Sequence, residues 1–276
     1  GTTNDNDLVF KRNNVVSGRL AVTNTSFGRN SLQNNTTGTS NIAFGNGALE
    51  NNTIGINNAA FGSAALGKNS SGGDNTAMGT LALYNSVNGS HNVAMGLGAS
   101  CRLEKGSFNV ALGSDALYFN KSGNYNIAIG KMAGYDLLMY DNPDAFNIII
   151  GSNAAKGLIR GIKNTVLGSN TVLPADLSNA IVIGEGAKTS VNNSIRLGNT
   201  SISSFTGQVA YSFTSDIRYK TNIENMPLGL DFINKLRPVQ YIRKNNESKT
   251  KEWGVIAQEL QQTLQAVDYK DAGLVQ

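Results

Sequence analysis

Short apolar triplets punctuate most of this chain: Ile42-Ala43-Phe44, Val93-Ala94-Met95, Val110-Ala111-Leu112 and Ile127-Ala128-Ile129. An asparagine precedes each and a glycine follows it. The pattern Asn-x-Ala-x-Gly starts at Asn41, Asn58, Asn75, Asn92, Asn109 and Asn126, each seventeen positions after the last. A degenerate copy starts at Asn24. A four-residue insertion around 140–144 moves the next copy to Asn147, and Asn164 follows at the regular spacing. Two shorter, looser copies end at Gly184 and Gly198. A second glycine recurs at offset fourteen from the asparagine, at Gly38, Gly55, Gly72, Gly89, Gly106, Gly123 and Gly161. An alanine recurs at offset seven, at Ala48, Ala65, Ala82, Ala99, Ala116, Ala133 and Ala154.

A unit of this length is too short for two helices and a turn, and it lacks the heptads of a coiled coil. The triplet reads as a strand whose outer side chains share one face and whose middle alanine takes the other. Both faces are apolar, so the strand should be buried on both sides. One face is expected to fill its own coil and the alanine face to meet another copy of the chain. The column Phe44, Phe61, Met78, Met95, Leu112 and Ile129 is expected to be core. Glycines are expected to supply positive-φ corners, and asparagines to hydrogen-bond along the axis. The fold class that follows is mainly β: a parallel β-roll or β-solenoid with one unit per rung. Rungs stack about 4.8 Å apart, so ten units make a rod about 50 Å long.

Composition divides the chain. Residues 1–211 hold 25 charged residues and 28 glycines, whereas residues 212–276 hold 17 charged residues in 65 positions and 3 glycines. The organisation expected is a lead-in over 1–20, a repeat shaft over 21–211 and a small α/β domain over 212–276. One cysteine, Cys101, excludes an internal disulfide, and one histidine, His91, leaves no multi-histidine metal site. Cys101 reads as a packed thiol in a leucine-like place, His91 as a surface corner. No apolar run is long enough for a membrane helix. The net charge of +4 is small for 276 residues, and no basic cluster interleaves with aromatics, so neither nucleic acid nor membrane insertion is expected. No cofactor and no metal are expected.

The repeats Asn-Ile-Ala-Phe-Gly, Asn-Val-Ala-Leu-Gly and Asn-Ile-Ala-Ile-Gly resemble the head repeats of YadA-type trimeric adhesins over about residues 20–200. That resemblance implies a left-handed parallel β-roll with three chains side by side, here with a longer loop per rung.

The C-terminal region carries the one chemical signal. Ser215-Asp216-Ile217-Arg218-Tyr219-Lys220 is followed by Leu236-Arg237-Pro238-Val239-Gln240-Tyr241 and then Gly254-Val255-Ile256-Ala257-Gln258-Glu259-Leu260. Pro227 can open a helix running to about Leu236, 238–243 and 253–256 read as strands, and 257–264 reads as a helix. Trp253 is expected in the core of this small domain; exposed, it would offer a platform for a sugar. The motif set closely resembles the intramolecular chaperone of phage endosialidases and tail fibres, the peptidase S74 family. The resemblance implies a domain that directs trimer assembly and then cuts itself off at the Ser-Asp dipeptide, with Ser215 as nucleophile, Lys220 as general base and Asp216 at the cut; from the residues themselves, Arg218 is a candidate positive neighbour for Lys220. It also implies a copy that is incomplete at its C-terminus.

The chemistry is consistent with those residue types. A lysine serves as base only where burial or nearby positive charge lowers its pKa. Attack of Ser215 on the Thr214 carbonyl closes a five-membered ring. A cut after Ser215 requires a serine from another chain, or water. Both bonds stay open.

The expectation is therefore a homotrimeric, receptor-binding tail fibre of a phage or phage-like injection machine, placed on a virion tail and meeting a host cell-surface glycan. Its enzymatic activity would be at most a single self-cleavage. Two other readings are a trimeric adhesin on a bacterial surface and a hydrolytic tailspike whose catalytic domain lies upstream. The loops around 68–73, 102–106 and 137–144 are the expected receptor tips.

Overall fold

The computed structural model describes residues 7–140, 144–205, 221, 228–242 and 251–267. Two compact units emerge, residues 1–201 and 202–276. The first is built on a 13-stranded sheet in sequence order. An antiparallel pair opens it, β1 (Leu8–Arg12) and β2 (Val15–Leu20), and β2 pairs antiparallel with β3 (Thr25–Phe27). From there every strand is three residues long and parallel to its neighbour. These strands are β4 (Ile42–Phe44), β5 (Ala59–Phe61), β6 (Thr76–Met78), β7 (Val93–Met95), β8 (Val110–Leu112) and β9 (Ile127–Ile129). The ladder continues with β10 (Ile148–Ile150), β11 (Thr165–Leu167), β12 (Ile181–Ile183) and β13 (Ile195–Leu197). Strands one rung apart pair in register, Ile42 on Ala59 and Ala43 on Ala60 for example. This is a parallel β-solenoid.

The repeat asparagines form a buried ladder, as their spacing implied. Asn41, Asn58, Asn75, Asn92, Asn109, Asn126, Asn147 and Asn164 are at most 1% exposed. Each Nδ2 donates to the Oδ1 of the asparagine one rung back at 3.0–3.2 Å, from Asn58 onward. The same Oδ1 accepts the next asparagine's backbone N–H. Nδ2 of Asn41, Asn58, Asn75, Asn92, Asn109 and Asn147 also reaches the carbonyl of the offset-fourteen glycine, at 2.8–2.9 Å. No hydrogen-bonding capacity is left for another residue type to match, which accounts for the invariant amide. The ladder crosses the longer step from Asn126 to Asn147, so the insertion leaves the stack whole.

The structure reverses the expected facing of the strands. The middle residues Ala43, Ala60, Ala77, Ala94, Ala111 and Ala128 are fully buried inside the coil. The bulky pair faces outward, with Ile42, Phe44, Phe61, Met78, Met95 and Ile129 37–43% exposed. The column read as core is therefore an outer face. Space decides this. The interior also holds the offset-seven alanines and one leucine per rung, and close packing leaves no volume for two more large side chains.

The two glycine columns also differ in cause. Those closing the strands, such as Gly62 and Gly79, take φ of +141° and +132°. The offset-fourteen glycines are not at positive φ; there a Cβ has no room. At Gly89 it would lie 2.5 Å from the carbonyl oxygen of Gly106. Many corners are turned by other residues: Asn57, Asp74, His91, Phe108, Tyr125 and Phe146 precede ladder asparagines at φ between +50° and +60°.

The second unit has four described elements: α1 (Leu230–Ile233), β14 (Val239–Tyr241), β15 (Glu252–Gly254) and α2 (Ala257–Gln265). β14 and β15 form an antiparallel ribbon pairing Val239 with Gly254 and Gln240 with Trp253. Among its described residues, Phe232 and Leu264 are the buried apolar side chains.

Candidate functional site

Two regions bear on function: the C-terminal motifs and the outer surface of the solenoid. Ser215, Asp216, Arg218 and Lys220, the residues that carry the expected self-cleavage, lie outside the described residues, as does Pro227. The two later motifs are described, and the structure brings them together. Arg237, from the first, donates through Nε to Glu259 Oε2 at 3.0 Å and through Nη2 to the other carboxylate oxygen. That fork ties the segment just before β14 to the first turn of α2. The hydrogen bonds hold the Glu259 carboxyl below its ordinary range and raise the Arg237 guanidinium above its own. An acidic residue in a helix's first turn is also favoured by the helix dipole. The link was missed in the sequence, although the opposite charges stood inside two quoted motifs.

Trp253 is 84% exposed, against the expectation of a core residue. It stands on a two-stranded ribbon opposite Gln240, and a ribbon buries only the face that another layer covers.

On the solenoid, Cys101 is 6% exposed, and burial pushes its thiol above the ordinary cysteine value. A buried protonated thiol is a packing residue. Its place differs from the one expected: Ser100, not Cys101, falls in the leucine column with Leu49, Leu66, Leu83 and Leu117. His91 is a corner residue at φ +57°. It begins an aromatic ladder at one offset of the repeat. His91 stacks on Phe108 at 4.7 Å, Phe108 on Tyr125 at 5.0 Å and Tyr125 on Phe146 at 4.9 Å, all within 11° of parallel. The shared offset was the signal that could have revealed this stack.

Among the described residues no three His, Cys, Asp or Glu side chains could hold a metal ion. No described helix is long and apolar enough to cross a membrane.

Comparison with known proteins adds one finding. No curated protein matches the chain. Residues 215–269 match the peptidase S74 family, described as the chaperone of endosialidase. The chain thus carries a parallel β-solenoid and, over residues 215–269, a segment similar to the endosialidase chaperone family.

Proposed function

We propose that the chain is the distal part of a trimeric, receptor-binding tail fibre of a phage or phage-like injection machine, carried on a virion tail. One observation carries the reading: an S74 match follows a solenoid whose continuous apolar strand face is bare in the single chain. Two outward side chains per rung, repeated over β3–β13, make a stripe along the rod axis about 50 Å long. A monomer rarely exposes so extended an apolar patch. Sister subunits covering it would complete a homotrimer whose interior is dry.

The repeat also explains the need for a chaperone. Sliding one chain by a whole rung returns most residues to like neighbours, so the stack by itself specifies register weakly. A C-terminal clamp that trimerises first would set it. In this reading Ser215 Oγ attacks the Thr214 carbonyl, or the Ser215 carbonyl of a neighbouring chain, and Lys220 takes its proton; the amide C–N bond breaks, its nitrogen leaves carrying that proton, water hydrolyses the resulting ester, and the clamp departs. The reverse path is lost with it, so the product is kinetically stable.

The test is intact mass together with native oligomer mass for wild type, Ser215→Ala and Lys220→Ala. Wild type should give a trimer of clipped chains, and both variants a trimer of full-length chains. A Ser215→Ala chain still clipped at this junction would remove Ser215 from the chemistry, and a clipped Lys220→Ala chain would remove Lys220.

A further inference from the structure

A strip on the solenoid, on the coil segment between the two glycines and away from the strand, gathers cations on aromatic rings. Lys68 Nζ lies 5.1 Å from the centre of the Tyr84 ring. The Arg102 guanidinium lies 5.7 Å from Tyr118 and 5.3 Å from Phe119. Tyr118 stacks in turn on Tyr135 at 5.4 Å, with Phe119 edge-on to both. Lys105 is exposed, a short way beyond Arg102. The carboxylate between them, Glu104, pairs with Lys121 at 3.7 Å. The ion pairs among the described residues involve none of Lys68, Arg102 and Lys105.

A ring quadrupole attracts a cation without cancelling its charge. Lys68 and Arg102 are therefore held in place but not neutralised, and the exposed guanidinium keeps donors directed at solvent. Fixing such side chains in advance lowers the ordering cost of binding. Lys68 and Arg102 stand two rungs apart, about 10 Å along the axis, so a ligand meeting both must be extended and repeatedly charged. Amide and hydroxyl groups share the strip: Asn85 accepts from Lys68, and Ser71 donates to Asn88. Single-stranded nucleic acid binds such surfaces by stacking bases on open ring faces. Here cations and neighbouring rings cover faces of Tyr84 and Tyr118, so that mode is disfavoured.

We propose that this strip binds an acidic polysaccharide lying along the rod, with carboxylate or phosphate groups on Lys68, Arg102 and Lys105 and sugar hydroxyls on the flanking amides. This rests on the attachment reading for its biological setting and deepens it by naming the ligand class.

The experiment measures binding of the full chain to polygalacturonate, polyribitol-phosphate teichoic acid, neutral dextran and oligodeoxythymidylate at several salt concentrations. Wild type should bind one of the two acidic polysaccharides at least roughly tenfold more tightly than dextran, and the stronger arm identifies carboxylate or phosphate. The variant Lys68→Ala/Arg102→Ala/Lys105→Ala should lose roughly tenfold or more, with a shallower salt dependence. Lys131→Ala/Lys156→Ala/Lys163→Ala, which removes as many positive charges elsewhere, should stay within about twofold. Tyr118→Leu keeps every charge but removes the ring under Arg102, and should also weaken binding while the β-sheet circular-dichroism spectrum is kept. Equal losses in the control variant, tighter binding of oligodeoxythymidylate, or no preference over dextran would each overturn the proposal. Loss of polysaccharide binding in the triple variant with undiminished attachment of the fibre to cells would uphold the strip and instead remove the attachment reading.

Discussion

The asparagine and glycine columns hold the rungs together, and each can be tested one side chain at a time. At Gly89 the backbone conformation is ordinary and only space is lacking. Gly89→Ala should therefore push adjacent rungs apart and cost about 2 kcal/mol or more, read in thermal melts. A second amide ladder runs Asn35, Asn52, Asn69, with Nδ2 donating to the preceding Oδ1 at 2.8 and 2.7 Å. It stops at Ser86. Asn69 Oδ1 and Ser86 Oγ are then buried without a hydrogen-bond partner. Ser86→Asn should extend the ladder and stabilise the chain by about 1 kcal/mol, read as a raised denaturation midpoint. If the midpoint falls instead, the empty acceptor is not what limits this rung. Cys101, protonated and buried, should resist iodoacetamide at neutral pH until the chain unfolds, as followed by mass spectrometry.

Within a rung, two positions share one volume. Where offset eight is leucine, offset eleven is Asn or Ser: Leu49 with Asn52, Leu66 with Asn69, Leu83 with Ser86, Leu117 with Asn120. Where offset eight is small, offset eleven is leucine: Ser100 with Leu103, Gly134 with Leu137, Ala155 with Leu158. All of these positions fall inside the coil; Gly134 has no side chain, and Ile149 Cδ1 lies 3.1 Å from where its Cβ would be. Ser100→Leu alone should overpack, and Leu103→Asn alone should leave a void, each at roughly 2 kcal/mol or more. The double variant restores the commoner pairing and should be more stable than either single one by urea unfolding. In the second unit the Arg237–Glu259 fork predicts a pH effect. Its pairing lowers the folded-state Glu259 pKa, so the stabilisation is present above the ordinary glutamate value and disappears as pH falls through the lowered one. Amide exchange of α2 should accelerate over that acid window, and Arg237→Gln should abolish the difference.

For the molecule as a whole, the consequence lies in the bare apolar face. Its outer column changes along the axis from Phe27, Phe44 and Phe61, which stack at 5.1 and 5.6 Å, through Met78 and Met95 to Leu112, Ile129 and Ile150. Met95→Lys leaves the coil interior untouched, since this side chain is 39% exposed. It should keep the β-sheet circular-dichroism spectrum of the solenoid while sedimentation shifts toward monomer. An unchanged trimer would mean that this face is not where copies meet.

The constant repeat length made the stack of strands legible in the residues, because a repeating pattern of Asn, Ala and Gly admits few geometries. The later C-terminal elements were legible too, since Gly254-x-Ile256-Ala257 marks the step from strand to helix. Which face of each strand turns inward was not legible. Alternation yields two apolar faces, one small and one bulky, and either could have been inside. That choice depends on how much volume leucines from the far side of the same coil already occupy, a quantity set only when the turn closes. The exposed Trp253 and the Arg237–Glu259 link depend likewise on which layers meet in space, and no spacing along the chain encodes that.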